Sequence, residues 1–227
     1  MNEPCLITTP QEALGEIVED LVLLEGKEFR ISRPTDSDLI LNDPTVHEAF
    51  QRDEYMPYWA DLWPGARMLG KALLREDWPT GLTALEVGCG LGLAGVVAMS
   101  VGICVIFSDY DATALEFAKE NAVLNEQENF ELLHMDWRFP PADLKVPMML
   151  ASDVIYEERN IDPLIRLMKT VLTPDGFCLL SDQDRVPSKQ FQAALREKKL
   201  EFTTQMMRAG EPGGTRVKGT VYRITLS

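Results

Sequence analysis

Thr83-Ala-Leu-Glu-Val-Gly-Cys-Gly-Leu-Gly-Leu-Ala-Gly-Val-Val-Ala-Met-Ser-Val101 is the stretch that decides the fold. It opens as a short apolar strand, Thr83–Val87, runs into glycines at 88, 90 and 92, and continues as an apolar helix over Leu93–Val101. Glycines at such a junction let the backbone turn tightly and approach a ligand, while the N–H groups of the following helix face it. Gly90, Gly92 and Gly95 also satisfy the G-x-G-x-x-G spacing of dinucleotide sites, and glycines placed only for helix–sheet packing are a third reading. Glu86, at the very end of the strand, separates these readings. A nicotinamide site needs an apolar residue there, whereas a carboxylate suits the amino group of a methionine-like moiety.

Downstream, strands and helices alternate. Ile103–Phe107 reads as a buried strand, and Asp111 caps a helix through Leu124. Phe130–Leu133, Val146–Ala151 and Phe177–Leu180 read as further strands, with helices over Ile161–Leu172 and Ser188–Lys198. Strands separated by helices of this length imply a parallel sheet wound on both faces. Leu200–Met207 and Val217–Leu226 then follow with no helix between them, which predicts an antiparallel hairpin at the sheet edge. The expected fold is therefore α/β: a doubly wound, seven-stranded, mostly parallel sheet with a C-terminal antiparallel hairpin.

Upstream, Ala66–Leu74 has helical spacing. Gln11–Leu24 carries a helical pattern that shades into the apolar run Leu21–Leu24, and Gly26-Lys27 turns that run back into Glu28–Ser32. Pro34, Asp36, Asp38, Asn42 and Pro44 read as a turn-rich connector.

Acids stand where each parallel strand should end. Asp109 follows the second strand, placed to accept hydrogen bonds from ribose hydroxyls; the rival role, helix N-cap, falls better to Asp111. Asp136-Trp137 follows the third strand, where an acceptor and an aromatic face suit a purine, the alternative being a core Trp beside a surface Asp. Asp153-Val-Ile-Tyr156 follows the fourth strand, where a carboxylate and a phenol can receive and steer a nucleophile; the alternative is a helix-start Asp with a packed Tyr. Pro57-Tyr-Trp-Ala-Asp-Leu-Trp-Pro-Gly65 is strongly aromatic and reads either as a cover over a ligand or as a hydrophobic staple under the first helix.

Composition bounds the rest. The 227 residues suffice for one good-sized core. With 22 basic against 36 acidic residues, the net charge of −14 repels phosphate backbones, so no broad nucleic-acid footprint is expected. Cys5, Cys89, Cys104 and Cys178 are far apart, without zinc or disulfide spacing, so no metal site is expected and a reducing, cytoplasmic setting is. The acidic N-terminus lacks a signal-peptide pattern, and no apolar run approaches ~18 residues, so no membrane association is expected.

Taken together, these residues resemble the class I S-adenosylmethionine-dependent methyltransferases, and more narrowly the seven-stranded protein-lysine methyltransferases (methyltransferase family 16). The resemblance covers Tyr55 to the C-terminus and is carried by Trp63 before the first core helix, Asp136-Trp137, and the Asp-x-x-Tyr run at Asp153–Tyr156. It implies S-adenosylmethionine as cofactor, held by Trp63, Glu86, Gly88, Cys89, Gly90, Asp109, Asp136, Trp137 and Ser152. Asp153 and Tyr156 would serve the acceptor, with Asp153 aligning the amine and Tyr156 shaping its pocket. The implied partner is a lysine-bearing protein, and a monomer is expected. Residues 1–60 then read as an N-terminal extension or lid and 61–227 as the methyltransferase domain. Pro57–Leu69 also looks like the branch that methylates lysines of an electron-transfer flavoprotein subunit, from which the chain departs at ASDVIYEE (151–158).

Three other readings stand beside this one: a small-molecule N-methyltransferase of the same fold, a nicotinamide-dependent oxidoreductase, and a non-catalytic scaffold that keeps the cofactor pocket. The oxidoreductase needs a Ser/Tyr/Lys or His set, and the two histidines, His47 and His134, have no such setting. A nucleic-acid amino-methyltransferase usually shows Pro-Pro-aromatic where this chain has Asp153-Val-Ile-Tyr156.

Overall fold

A computed structural model describes residues 6–210 and 213–226; Cys5 lies outside the described residues, as do Glu211 and Pro212 in the loop of the terminal hairpin. The chain runs β1 (Ile17–Leu24), β2 (Lys27–Pro34), α1 (Ser37–Leu41), α2 (Pro44–Asp53), α3 (Pro64–Leu74), β3 (Thr83–Val87), α4 (Leu93–Met99), β4 (Cys104–Asp109), α5 (Ala112–Leu124) and β5 (Phe130–His134). It continues through β6 (Val146–Ser152), α6 (Ile161–Val171), β7 (Leu172–Asp182), α7 (Pro187–Glu197), β8 (Glu201–Ala209) and β9 (Val217–Thr225). The main sheet has seven strands in the order β5-β4-β3-β6-β7-β9-β8. Strands β3 to β7 pair in parallel, and β9 pairs antiparallel with both β7 and β8. This is the doubly wound fold with a terminal hairpin that the alternation of elements predicts.

The order reverses between β3 and β6. The chain steps outward from β3 to β5, then returns to β6 and steps the other way. The loops at the carboxyl ends of β3 and β6 therefore diverge and leave a crevice between them. Side-chain alternation along each strand builds two cores. Ala84, Val105, Phe107, Met148 and Leu150 face α3, α4 and α5. Leu85, Val87, Met149, Ala151 and Cys178 face α6 and α7.

The first sixty residues depart from the sequence expectation in two places. The hairpin forms, but β1 begins at Ile17, within the segment whose spacing suggests helix. Full-length pairing with β2, from Ile17↔Pro34 to Leu24↔Lys27, buries Val22 and Leu24, and this tertiary gain overrides the local pattern. The turn-rich connector is two helices. Asp36 caps α1 by accepting from Asp38 N (3.0 Å), and Asp43 caps α2 from Thr45 N (2.8 Å), with Pro44 in the first turn. The residues that read as turn signals are helix starts, because short polar side chains and proline serve both roles.

The hairpin lies against the helices, away from the crevice: Val22, Leu24, Phe29 and Ile31 join the core that contains α3, α4 and α5. The buried Asn121 of α5 pins it there. Its amide accepts from Ser32 N and donates to Ser32 O (3.0 Å) and to Leu91 O (2.9 Å), linking hairpin, helix and glycine turn. Among the described residues no helix is long and apolar enough to cross a membrane.

Candidate active site

A cavity of about 610 Å³ occupies the crevice where the strand order reverses, within the size range of small-molecule sites. Its inner wall is the glycine turn between β3 and α4. Gly88 and Gly90 take φ of 60° and 52°. A Cβ on Gly88 would lie 3.3 Å from Trp137 Cζ3, and one on Gly90 would lie 3.2 Å from Trp59 O. Bare backbone is what keeps this wall open.

Asp109, the last residue of β4, borders the cavity. Its carboxylate accepts from Gly90 N (2.9 Å) and Asp111 N (3.1 Å), so the strand end and the glycine turn are held in one frame. Burial pushes its carboxyl up to about 6, against the pull of these backbone donors. At neutral pH it is an anion on the cavity wall with acceptor capacity to spare.

The turn that carries Asp109 is braced from outside. The fully buried Asp111 caps α5 through Thr113 N (2.8 Å) and also accepts from Thr9 N (3.1 Å), the Thr9 hydroxyl and Tyr55 OH (2.6 Å). Ile7 bridges to the same residue. Four donors on one carboxylate compensate its burial. They also tie the chain start and the aromatic segment to the site.

That segment, Glu54–Trp63, forms the outer wall. Trp59 is buried against Phe117 (ring centroids 5.4 Å apart). Trp63 Nε1 donates to Tyr58 O (2.6 Å), and Tyr58 meets Trp63 and Tyr156 edge-on at 5.9 and 5.2 Å. The stretch walls the cavity, and its buried Trp59 packs on α5, not under α3.

Asp153, just past β6, has φ of 56°, a left-handed conformation that aspartate tolerates better than most residues. Its Oδ2 accepts from Gly65 N (2.7 Å), in the first turn of α3, while Ser181 Oγ donates to Gly65 O (2.8 Å). Trp63, the N-cap of α3, gives no side-chain cap. Asp153, remote in sequence, therefore fills that role, and the helix dipole favours its charge. Oδ1 is buried, faces Arg185 Nη2 at 3.5 Å, and has the Gln183 side chain beside it. Burial raises the Asp153 carboxyl; Arg185, the Gln183 side chain and the Gly65 N–H oppose the rise. Burial likewise raises the Tyr156 phenol.

The residues singled out in the sequence divide three ways. Trp63, Gly88, Cys89, Gly90, Asp109, Trp137, Ser152, Asp153 and Tyr156 all border the cavity. Asp136 borders it too, but both its oxygens hold Arg138 in a fork at 2.7–2.9 Å, so it is not the open acceptor that the sequence suggests. Glu86 does not reach the cavity. Strand alternation turns it with Ala84 toward α4, where it is 1% exposed and accepts from Gly95 N (2.9 Å). Burial pushes its carboxyl up to about 8, so it is chiefly uncharged at neutral pH. A buried neutral acid on the wrong face cannot meet an ammonium group; Glu86 instead fixes the first turn of α4.

Sequence reasoning missed Tyr55, Tyr110, Met135, Arg138 and Arg185 on the cavity wall. Tyr110 and Arg138 lie next to residues that were singled out, so strand-end position was their signal. Arg185 had no local signal. Among the described residues no group of three or more His, Cys, Asp or Glu side chains is placed to hold a metal.

A positive-φ glycine cradle, a wall carboxylate and flanking aromatic faces fit a nucleoside-bearing ligand, and known proteins with related sequences agree. A family model described as lysine methyltransferase matches residues 58–208. The protein-lysine N-methyltransferase rrg1 of Schizosaccharomyces pombe is 27% identical over 219 residues, covering 88% of this chain and 67% of that protein. The human histone-arginine methyltransferase METTL23 is 28% identical over 46% of this chain and 58% of its own length. The histidine protein methyltransferase 1 homolog of Dictyostelium discoideum is 28% identical over 46% of this chain and 36% of its own. The chain thus spans two thirds or less of these relatives. Among solved structures, a ribosomal protein L11 methylase from Lactobacillus delbrueckii subsp. bulgaricus superposes with a TM-score of 0.56 at 24% identity, over 69% of this chain and 76% of that one. A putative methyltransferase from Streptococcus mutans reaches 0.60 at 14% identity, over 92% and 55%. At these identities the superpositions speak to the fold.

Proposed function

The chain belongs to the lysine methyltransferase family, which makes it an S-adenosylmethionine-dependent methyltransferase, and we propose that it transfers methyl to a lysine side chain of a protein. What supports the finer reading is the buried carboxylate of Asp153, which lines the cavity together with Trp63, Tyr58 and Tyr156. When bound, S-adenosylmethionine supplies a methyl group already activated on a sulfonium, so the protein's task is alignment and exclusion of water. Asp109 offers its remaining acceptor sites to ribose hydroxyls. Trp137 gives a face to the adenine, and the bare backbone of Gly88–Gly90 admits the ligand. Ser152 and Trp63 border the end nearest the acceptor.

Asp153 orients the acceptor amine through Oδ1, held in place by its bond to Gly65. A carboxylate favours the ammonium form of an amine, so Asp153 aligns the nucleophile and is not its base. Tyr58, Trp63 and Tyr156 wall the site from water. A protein acceptor agrees with the printed functions of the relatives, and the net charge of −14 disfavours a phosphate backbone. Cys89, Cys104 and Cys178 are free thiols, which suits a cytoplasmic setting. Action as a monomer, away from membranes, completes the proposal.

The test is incubation with methyl-labelled S-adenosylmethionine and a host lysate, followed by acid hydrolysis and amino-acid analysis. Label in methyl-lysine is the expected result. Label confined to small molecules would replace this reading with the small-molecule N-methyltransferase.

A further inference from the structure

Arg185 lies in the short loop between β7 and α7, and its backbone is pinned on both sides. Its N–H donates to Asp182 Oδ2 (3.2 Å), and its carbonyl accepts from Ser188 N (3.0 Å). Asp182 itself is fully buried and also accepts from the Ser188 hydroxyl. From this fixed base the guanidinium reaches over the Trp63 ring, 5.1 Å from its centroid, with Nη2 at 3.5 Å from Asp153 Oδ1. Stacking on an indole and facing a buried carboxylate both hold the cation in place. Its side chain borders the cavity and is 27% exposed. The structure thus sets a permanent positive charge beside Asp153 Oδ1, which the Gln183 side chain also approaches.

We propose that Arg185 is a specificity-determining residue of the acceptor site, which favours an amine able to shed its proton and disfavours a guanidinium. The inference rests on the lysine reading of the same site. An acceptor nitrogen needs a lone pair, and a lysine ammonium, titrating near ~10.4, has none. Asp153 alone would hold the ammonium; Arg185 offsets that pull and acts as a like charge on the amine. An arginine acceptor cannot relieve the repulsion, because its guanidinium stays protonated.

Other charged and titratable groups also face the cavity or bond to the Arg185 loop. On the aromatic wall are Tyr58 and Asp61. After β6 come Tyr156 and Glu157, the latter paired with Arg159, which also takes Glu54. After β7 is Asp182, already hydrogen-bonded to Arg185 and Ser188. In the reaction the ammonium first gives a proton to solvent. The nitrogen lone pair then forms the N–C bond while the C–S pair stays on sulfur, and the methylated nitrogen exchanges its remaining protons with solvent.

Two measurements on wild type, Arg185→Gln and Arg185→Lys test this. Sinefungin carries an amine in place of the sulfonium methyl, so its affinity relative to S-adenosylhomocysteine reports how the site treats a cation there. Titration calorimetry at pH 7 should show that ratio raised about tenfold in Arg185→Gln, the equivalent of about one pKa unit, and unchanged in Arg185→Lys. S-adenosylhomocysteine affinity within a few-fold of wild type certifies that the variants fold. Equal ratios in all three proteins would overturn the proposal, and a wild type that binds neither ligand would overturn the methyltransferase reading as well. With labelled lysate, Arg185→Gln should move the pH–rate profile for methyl-lysine upward by about one unit. Methyl-arginine as the wild-type product would refute the specificity and the lysine reading together.

Discussion

The two halves of the cavity are built on different plans. The half over β3, β4 and β5 is made of strand ends and of backbone: the glycine turn, Asp109 and Trp137. Each of these ends its strand or follows it within a few residues, and their mutual bonds, such as Asp109 to Gly90, join neighbouring elements. The half over β6 and β7 is assembled from distant pieces. Asp153 caps a helix that begins 89 residues earlier in the chain, at Pro64, and Arg185 closes over Trp63 from the far side of β7. The first half suits a ligand of fixed shape, which backbone can recognise. The second presents side chains whose setting can be retuned without disturbing the first.

The comparison is tested most sharply at Asp153. Asp153→Asn should cut single-turnover methylation by about a hundredfold or more, the scale on which small misplacements act, while S-adenosylmethionine affinity stays within a few-fold. Normal turnover would show that the acceptor half does not depend on this carboxylate.

Gly65→Ala probes the same half through its support. A Cβ there would lie 2.3 Å from Asp153 Oδ2, so the carboxylate must move. A loss of turnover of about tenfold to a hundredfold is expected, again with cofactor binding nearly intact. If cofactor affinity falls in step with rate, the two halves are not separable.

Asp109→Ala should do the reverse, weakening S-adenosylmethionine by about 1.5–3 kcal/mol, as for hydrogen bonds to a charged group. Since the Asp109 carboxyl sits at about 6, affinity in the wild type should be flat above that pH and fall as pH drops through it. A calorimetric pH series that is level from 5 to 8 would remove Asp109 from the ribose contact.

The smallest effect on cofactor binding and rate is expected at Glu86, which supports the first half without touching the cavity. Its folded-state carboxyl, at about 8, stands above the unfolded value of 4.5. The folded protein therefore holds a proton that the unfolded chain has lost, and stability declines as pH rises between those two values. Glu86→Gln keeps an acceptor for Gly95 N and removes the titration. Its Tm should lie close to wild type near pH 5 and exceed it near pH 9 by roughly 10 °C or more. Equal differences at both pH values would contradict a raised Glu86.

Legibility in the sequence follows the same division. The strand-turn-helix at 83–101 was readable because strand, glycines and helix are contiguous and each has its own local signature. Asp109 and Trp137 were readable from position alone, since a parallel strand must end at the crevice. Glu86 was misassigned because strand-end position names the residue while pleat direction decides its face. Asp136 was overread because nothing before it signals that Arg138 will take both its oxygens.

By itself the sequence determined the alternation of strands and helices, hence the doubly wound sheet, and the glycine turn at its first strand, all of which arise from patterns of a few residues. Only the tertiary structure decided that Asp111 gathers Thr9 and Tyr55, that Asp153 caps α3, and that Arg185 stands over Trp63. These contacts join residues between 56 and 122 positions apart. No local pattern encodes such a pairing, because its energy exists only once the sheet has brought the strand ends together.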